Sequence, residues 1–168
     1  MKTVLITAIG SFSADIVIKK CRENGIRVIG CDIYPREWVV DAANVDVFCQ
    51  VPRATQETAY IEALRSICSR EKVEGILPLT DAEVDVLDRL RPELAGLGIT
   101  LCISGEACIE LCRDKMKLFR YLEELRPGTV ISTQELAGIE PGRLAYPVVC
   151  KPYNGRSSQG LTFINSRR

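Results

Sequence analysis

Short apolar runs rich in β-branched residues recur along the N-terminal part of the chain, and polar or glycine-containing segments separate them. The first run ends at Gly10, and the second ends at Asp32. Nearly continuous apolar runs of this length are typical of strands that are buried on both faces of a parallel sheet. The pattern predicts five such strands, at residues 3–9, 26–32, 46–51, 75–79 and 99–103.

Segments with helical periodicity lie between these runs. Residues 58–70 place four apolar side chains on one face of a helix, namely Tyr60, Ile61, Leu64 and Ile67. Similar patterns predict helices at residues 14–23 and 81–97. Strands that alternate with helices form a parallel sheet with helices on both faces. We therefore expect a Rossmann-like α/β unit in this part of the chain.

The pattern changes after residue 103. Residues 114–126 have the periodicity of an amphipathic helix, and shorter elements are predicted as a helix at 105–112, a strand at 129–131 and a helix at 132–138. Two strands, residues 146–153 and 161–164, flank a glycine-containing loop and predict an antiparallel hairpin. Because a lone hairpin is only marginally stable, we expect an incomplete α+β lobe.

The amino-acid composition excludes several classes of function. The chain has 22 basic and 22 acidic residues and no histidine. Zero net charge argues against nucleic-acid binding as the main function, and the lack of histidine excludes Ser-His-Asp catalysis and His-ligated zinc. No apolar run is long enough to cross a membrane, and the N-terminal run lacks a signal-peptide cleavage site. The eight cysteines form no Cys-x-x-Cys pair and fit a reducing compartment, so we expect a cytoplasmic protein.

The turn after the first predicted strand is one candidate ligand site. Gly10 and Ser11 follow that strand, and Asp32 ends the second strand 22 residues after Gly10, where a Rossmann protein places its ribose-binding acid. The three-glycine dinucleotide fingerprint is missing. A tight-turn glycine and a strand-end acid are therefore the favoured interpretation, with substrate binding as the alternative.

A second candidate follows the fourth predicted strand. Thr80 or Asp81 suits a helix N-cap, and Glu83 suits the positive start of a helix. Asp81 and Glu83 also lie at the edge of the sheet where α/β proteins bind ligands. Capping is the favoured interpretation, and contact with a small acceptor substrate is the alternative.

Aromatic residues add one hint. Trp38 lies in the loop after the second predicted strand, and such loops often bind ligands, so Trp38 is a candidate acceptor contact. The four phenylalanines fall on apolar faces and are predicted to be core residues: Phe12, Phe48, Phe119 and Phe163.

The most informative segment is residues 146–160. Lys151 interrupts an apolar strand, which is a costly place for an unpaired charge. A loop follows in which glycines let the backbone amides approach a ligand closely, while an arginine adds a cation and two serines add hydroxyl donors. These residues are Gly155, Arg156, Ser157, Ser158 and Gly160. Backbone amides together with cations are how proteins hold polyphosphates. A mobile hairpin tip with a solvated lysine accounts for the same residues equally well.

A second lysine stands at a helix start, in Arg113-Asp114-Lys115. Asp114 is a good N-cap, and Lys115 is either a solvated lysine or a second cation for the same anion.

The order of elements after residue 112 resembles the opening of an ATP-grasp domain: Arg113-Asp114-Lys115, a helix, a short strand, and then the sequence YPVVCKP followed by the glycine-serine loop. The Rossmann-like part before it resembles a preATP-grasp domain, notably in residues 4–35 and 75–87. The resemblance spans essentially the whole chain and is greatest to carboxylate–amine ligases of the kind represented by the large subunit of carbamoyl-phosphate synthase. It implies a preATP-grasp domain at residues 1–112 and the start of an ATP-grasp domain at residues 113–168.

The resemblance also implies the chemistry. Lys115 and Lys151 match lysines that contact ATP phosphates, and residues 155–160 match the flexible loop that folds over the β- and γ-phosphates. Such enzymes use ATP and Mg²⁺ to form an acylphosphate from a carboxylate, which an amine then attacks. The family's magnesium ligands match no residue of this chain, so we expect an N-terminal fragment that is inactive alone. Its partners would be the small-molecule carboxylate and amine, and a homodimer is compatible with this function.

Two other functions remain open. The chain can be a free-standing Rossmann-like ligand-binding or regulatory module, in which the hairpin serves packing or dimerisation. A nicotinamide-dependent reductase is a weaker alternative, since Gly10 stands alone.

Overall fold

A computed structural model describes residues 2–155 and 157–166. The N-terminal unit contains five strands, which are shorter than the sequence predicts, because the apolar runs continue into the loops at the strand ends. The strands are β1 (Thr3–Ile6), β2 (Arg27–Asp32), β3 (Val47–Gln50), β4 (Gly75–Leu77) and β5 (Thr100–Leu101).

The five strands form one parallel sheet in the order β3-β2-β1-β4-β5. In register, Ile6 lies opposite Gly30, and Leu5 lies opposite Ile76. The chain proceeds from β1 outward to β3 and then crosses back to β4, so the direction of winding reverses between β1 and β4. That reversal is the topological switch point, where ligands of α/β proteins bind.

Helices cover both faces of the sheet and confirm the predicted α/β fold. Helix α1 (Ala14–Glu23) packs on the face that carries Val4, Ile6 and Val28. Helices α2 (Glu57–Glu71), α3 (Asp81–Arg89) and α4 (Arg91–Gly96) pack on the opposite face. Successive residues of each strand point to opposite faces, and the central strands β1 and β2 are therefore buried at nearly every position.

The prediction of one helix over residues 81–97 is wrong. Helix α3 ends at Arg89, and α4 begins at Arg91 with Pro92 in its first turn. Proline lacks an N–H donor and its ring clashes with the carbonyl four residues earlier, but it is well tolerated where a helix begins. The chain therefore breaks at Leu90 and starts a second helix.

The described residues after Ile103 form two α-helices, one 3₁₀ turn (Pro141–Arg143) and one strand pair. Helix α5 (Glu106–Arg113) is followed by α6 (Lys115–Leu125), whose N-cap Asp114 accepts hydrogen bonds from the backbone amides of Met116 and Lys117. Strands β6 (Val148–Cys150) and β7 (Thr162–Ile164) pair antiparallel and confirm the predicted hairpin.

Two predicted elements are absent from residues 129–138, all of which the structure describes. Neither the strand at 129–131 nor the helix at 132–138 forms. Ile131 and Leu136, which would have been buried, are exposed. A strand needs a pairing partner and a single-turn helix needs packing, so the local pattern is not sufficient for either.

Contacts divide the chain into two compact units, residues 1–103 and residues 104–168. The functional boundary that the resemblance implies after residue 112 stays a prediction. In the part of the chain that the structure describes, no helix combines the length and the apolar character needed to cross a membrane.

Candidate functional site

The carboxyl end of β2 holds the turn after β1 in place through Asp32. Its side chain is buried, and its Oδ2 atom accepts a hydrogen bond of 2.7 Å from the amide of Gly10. Its Oδ1 atom accepts one of 3.0 Å from the amide of Tyr34. Gly10 leaves room for this contact, since a Cβ there would lie 3.0 Å from Oδ2. The structure thus brings Gly10 and Asp32 together, and both carboxylate oxygens serve the fold.

Replacing Asp32 with alanine is expected to lower the free energy of unfolding by about 2 kcal/mol, because two backbone donors lose a charged acceptor but can still reach water at the sheet edge. Urea denaturation measures the change. Asp32→Asn, which keeps one acceptor oxygen, should lose roughly half as much. Equal stability of wild type and Asp32→Ala would show that the carboxylate does not hold the two loops.

Glu83, on the first turn of α3, lies between the two strands of the switch point. Its carboxylate is buried, and Oε2 accepts hydrogen bonds from Thr7 after β1, at 2.8 Å, and from Thr80 after β4, at 2.7 Å. Its Oε1 accepts a bond of 3.1 Å from the hydroxyl of Tyr60 on α2. Burial, and then the charge of Glu83, raise the pKa of Tyr60 above its ordinary range, so this hydroxyl stays a donor.

Cys31, the residue before Asp32, is completely buried. Burial, and then the charge of Glu83 with a smaller contribution from Asp32, raise the pKa of the Cys31 thiol. The thiol is therefore protonated and packs as a small hydrophobe. Cys108 and Cys112 on α5 are exposed.

The remaining candidates at this edge face solvent to a greater degree. Ser11 is half-buried, with its Oγ 3.3 Å from that of Ser13, and Asp81 is exposed at the start of α3. Thr80 is the N-cap residue of α3, but its hydroxyl bonds to Glu83 and does not cap the backbone. Sequence reasoning missed Thr7 and Tyr60, although a threonine in an otherwise apolar run is a visible signal of a buried polar contact.

In the second unit, Lys115 is joined to the glycine-rich loop. Its backbone amide donates to the carbonyl of Tyr153 at 3.0 Å. Its Nζ donates to the carbonyls of Gly155, at 2.6 Å, and Tyr153, at 3.3 Å. The first residue of α6 and the start of the loop are therefore brought together, as a shared anion site requires.

Lys151 approaches the same helix. Its Nζ lies 5.4 Å from the ring centroid of Phe119, one turn along α6 from Lys115. This is a cation–π contact at a surface, where such contacts are weak and exchange readily with a stronger anionic partner.

The loop itself folds back on Pro152. A Cβ on Gly155 would lie 3.1 Å from the Cβ of Pro152, and one on Gly160 would lie 2.9 Å from its Cγ, so neither position has room for a side chain. Ser157 and Ser158 are exposed and adopt positive φ angles of 48° and 59°. Arg156 lies outside the described residues.

A bound metal ion needs several donor side chains grouped together. Within residues 2–155 and 157–166, no three His, Cys, Asp or Glu side chains are grouped so as to hold a metal ion. The described residues therefore do not fit a protein-held Mg²⁺ site.

Comparison with known proteins identifies a family and a fold. Residues 4–102 match the family described as PylC-like, N-terminal domain. No relative among curated protein sequences matches the chain. Among solved structures, an L-amino acid ligase from Bacillus licheniformis is similar at a TM-score of 0.66 and 18% identity, over 99% of this chain and 40% of that one.

Two further structures show the same fold. A biotin carboxylase from Campylobacter jejuni, solved as a β,γ-ATP complex, matches at a TM-score of 0.70 and 18% identity, over 98% of this chain and 38% of that one. An N5-carboxyaminoimidazole ribonucleotide synthetase from Thermotoga maritima matches at 0.62 and 16%, over 99% of this chain and 42% of that one. At these identities the likeness establishes a shared fold, and the chain spans about two fifths of the length of these proteins.

Proposed function

The chain belongs to the PylC-like N-terminal domain family, with a preATP-grasp fold, and from this membership we propose that it is the N-terminal part of an ATP- and Mg²⁺-dependent carboxylate–amine ligase. The similar solved structures support the proposal, since they include a ligase and a carboxylase with bound nucleotide. Because the chain spans only about two fifths of those proteins, the activity is proposed for the whole protein.

One observation carries the assignment of the phosphate site: Lys115 begins α6 and bonds to the glycine-rich loop, and the Lys151 ammonium lies over Phe119 of the same helix. Two cations, the amides of residues 155–160 and the hydroxyls of Ser157 and Ser158 supply the donors that polyphosphate needs. An ammonium has three donors, and Lys115 gives two to loop carbonyls, so one is left for a phosphate oxygen. Arg156 belongs to the same proposed loop.

The proposed reaction needs charge neutralisation and positioning. A carboxylate oxygen of the substrate attacks the γ-phosphorus of ATP, ADP leaves, and an acylphosphate forms. The amine then attacks the acyl carbon, loses a proton, and phosphate leaves. Lys115 and Lys151 would hold the phosphates in line and balance their charge, which a chain without histidine can do. Mg²⁺ would screen the phosphate charge, and we assign it no ligand among the described residues.

A calorimetric titration with Mg-ATP tests the phosphate site. Binding by the chain alone is expected to be weak; where wild type binds measurably, Lys115→Ala and Lys151→Ala should each lose about 1.5–3 kcal/mol of binding free energy, the value of a hydrogen bond to a charged group. Lys117→Ala is the matched control, because Lys117 is exposed on the same helix. Its affinity should equal that of wild type.

Two results would overturn the assignment. Equal binding by wild type and all three variants removes the lysines from the site. No binding by a wild type that is folded by circular dichroism removes ATP from this chain, and it favours the alternative of a Rossmann-like ligand-binding module.

A further inference from the structure

Three aromatic side chains are exposed beyond the carboxyl ends of β1 and β2. Phe12 follows β1 and is fully exposed, contrary to the prediction that it is a core residue. Tyr34 and Trp38 follow β2 and are 45% and 75% exposed. Single exposed apolar side chains are ordinary, but exposed rings on two adjacent loops, with Tyr34 and Trp38 in ring contact, are typical of a binding surface.

The buried carboxylate of Asp32 fixes these loops side by side. Phe12 comes two residues after Gly10, whose amide bonds to one oxygen of Asp32, and Tyr34 is bonded directly to the other oxygen. The rings of Tyr34 and Trp38 lie 6.1 Å apart between centroids, at an interplanar angle of 30°. The rings are therefore carried by loops that are already held in place before any ligand arrives, which lowers the entropic cost of binding.

The position and the charges indicate a kind of ligand. Strands β1 and β2 are neighbours, and their carboxyl ends form the edge at which α/β sheets bind small molecules. The charged residues of this loop, Arg36 and Glu37, are exposed and opposite in sign, and Asp32 is fully occupied. The loop that carries Tyr34 and Trp38 therefore gives no preference for an anion or a cation, and its ring faces are what it offers a ligand.

We propose that Phe12, Tyr34 and Trp38 bind the planar aromatic group of a small-molecule substrate. Aromatic rings prefer tilted or offset contact with another ring to contact with a saturated group of the same size, because of their quadrupoles. The inference rests on the proposed function only in naming the ligand a substrate. Its site lies in residues 1–103, whereas the phosphate site lies in residues 104–168.

Trp38 is the single tryptophan of the chain, so its fluorescence reports on this site alone. The probes are phenethylamine, phenylacetate and cyclohexylethylamine, at millimolar concentrations. Phenethylamine and phenylacetate, which carry the same ring and opposite charges, should change the emission saturably with similar dissociation constants. Cyclohexylethylamine, which is saturated, should bind about three- to tenfold more weakly.

Variants locate the effect. Phe12→Ala keeps Trp38 as the reporter and should weaken phenethylamine binding about three- to tenfold. Leu97→Ala removes another exposed apolar side chain of the same unit and should bind as wild type does. The proposal is overturned if no aromatic probe gives a saturable change, if both variants bind equally, or if the saturated probe binds as well as phenethylamine.

One further result distinguishes a substrate site from a contact between two copies of the chain. Another separates the failure of this proposal from the failure of the phosphate assignment. Emission that depends on protein concentration, and that Phe12→Ala makes independent of it, would assign the rings to a contact between copies and overturn the small-molecule proposal. If Mg-ATP binds as expected and no aromatic probe binds, only the aromatic site is contradicted. If the aromatic probes bind and Mg-ATP does not, only the phosphate assignment is contradicted.

Discussion

Replacing Glu83 with alanine is expected to lower the free energy of unfolding by about 3–5 kcal/mol. Three hydroxyls donate to this carboxylate, and those of Thr7 and Tyr60 are on completely buried residues. Truncation leaves these donors without an acceptor and also leaves a cavity, and both effects destabilise the folded state. Urea denaturation followed by circular dichroism measures the loss.

Two variants show whether the hydrogen bonds cause the loss. Glu83→Gln keeps the shape and one acceptor oxygen, and hydroxyls can rotate to accept from its amide, so about 1–2 kcal/mol is expected. Glu62→Ala removes an exposed glutamate of α2 and should change stability by less than about 0.5 kcal/mol. A loss for Glu83→Ala no larger than that for Glu62→Ala would contradict the network.

The network also limits where a ligand can bind. Glu83 connects the segments after β1 and β4, so the base of the switch point is filled by the chain's own hydrogen bonds. Asp32 likewise uses both oxygens for backbone amides. Ser11 and the three exposed aromatic rings lie on the outer loops of this edge. Binding at this edge is therefore expected on the loops and above the carboxylates.

Much of the sheet could be predicted, because burial on two faces leaves a strong signal in the sequence. Five apolar runs match five strands, and α1 and α2 fall within a residue of their predicted bounds. The break at Leu90 is also predictable in principle, since Pro92 stands inside the predicted helix. The apolar periodicity continues through the proline, and periodicity alone therefore predicts one uninterrupted helix.

The errors occur where structure depends on distant partners. Residues 129–138 have a local pattern for a strand and a helix, but neither forms among the described residues. Phe12 is predicted to be a core residue, yet it lies in the loop between Gly10 and α1 and is exposed to solvent. A one-dimensional pattern records polarity and spacing, and it does not record what faces a side chain in the fold.

The same limit applies to the candidate site. The sequence places Asp32 and Glu83 at the ligand-binding edge, because both follow strands. Whether such a carboxylate contacts a ligand or supports a loop depends on which donors face it, and Tyr60 comes from a helix 23 residues away in the chain. The roles of Lys115 and Lys151 stay predictions, although Lys115 begins α6 and Lys151 contacts Phe119 of that helix.

Gly30→Val is expected to destabilise the protein by about 3 kcal/mol or more, because β2 has no room for a side chain at this position. A Cβ there would lie 2.6 Å from Cδ1 of Ile9 and 2.9 Å from Cγ1 of Val45, and both of those side chains are buried. Ile9 is the residue before Gly10, and its amide donates to the carbonyl of Cys31 at 3.2 Å. Displacing Ile9 should therefore loosen the contact between Gly10 and Asp32 as well.

This coupling gives the prediction a second measurement. Gly30→Ala, with a smaller clash, should lose about 1–2 kcal/mol but still fold, and it should weaken phenethylamine binding measured by Trp38 fluorescence. Gly96→Ala is the matched control, since nothing lies within 4 Å of a Cβ at that position, and it should be neutral or slightly stabilising. If Gly30→Val unfolds at the same urea concentration as wild type, Ile9 does not lie against β2. If Gly30→Ala is destabilised but binds phenethylamine normally, packing beneath the turn does not determine where Phe12 lies.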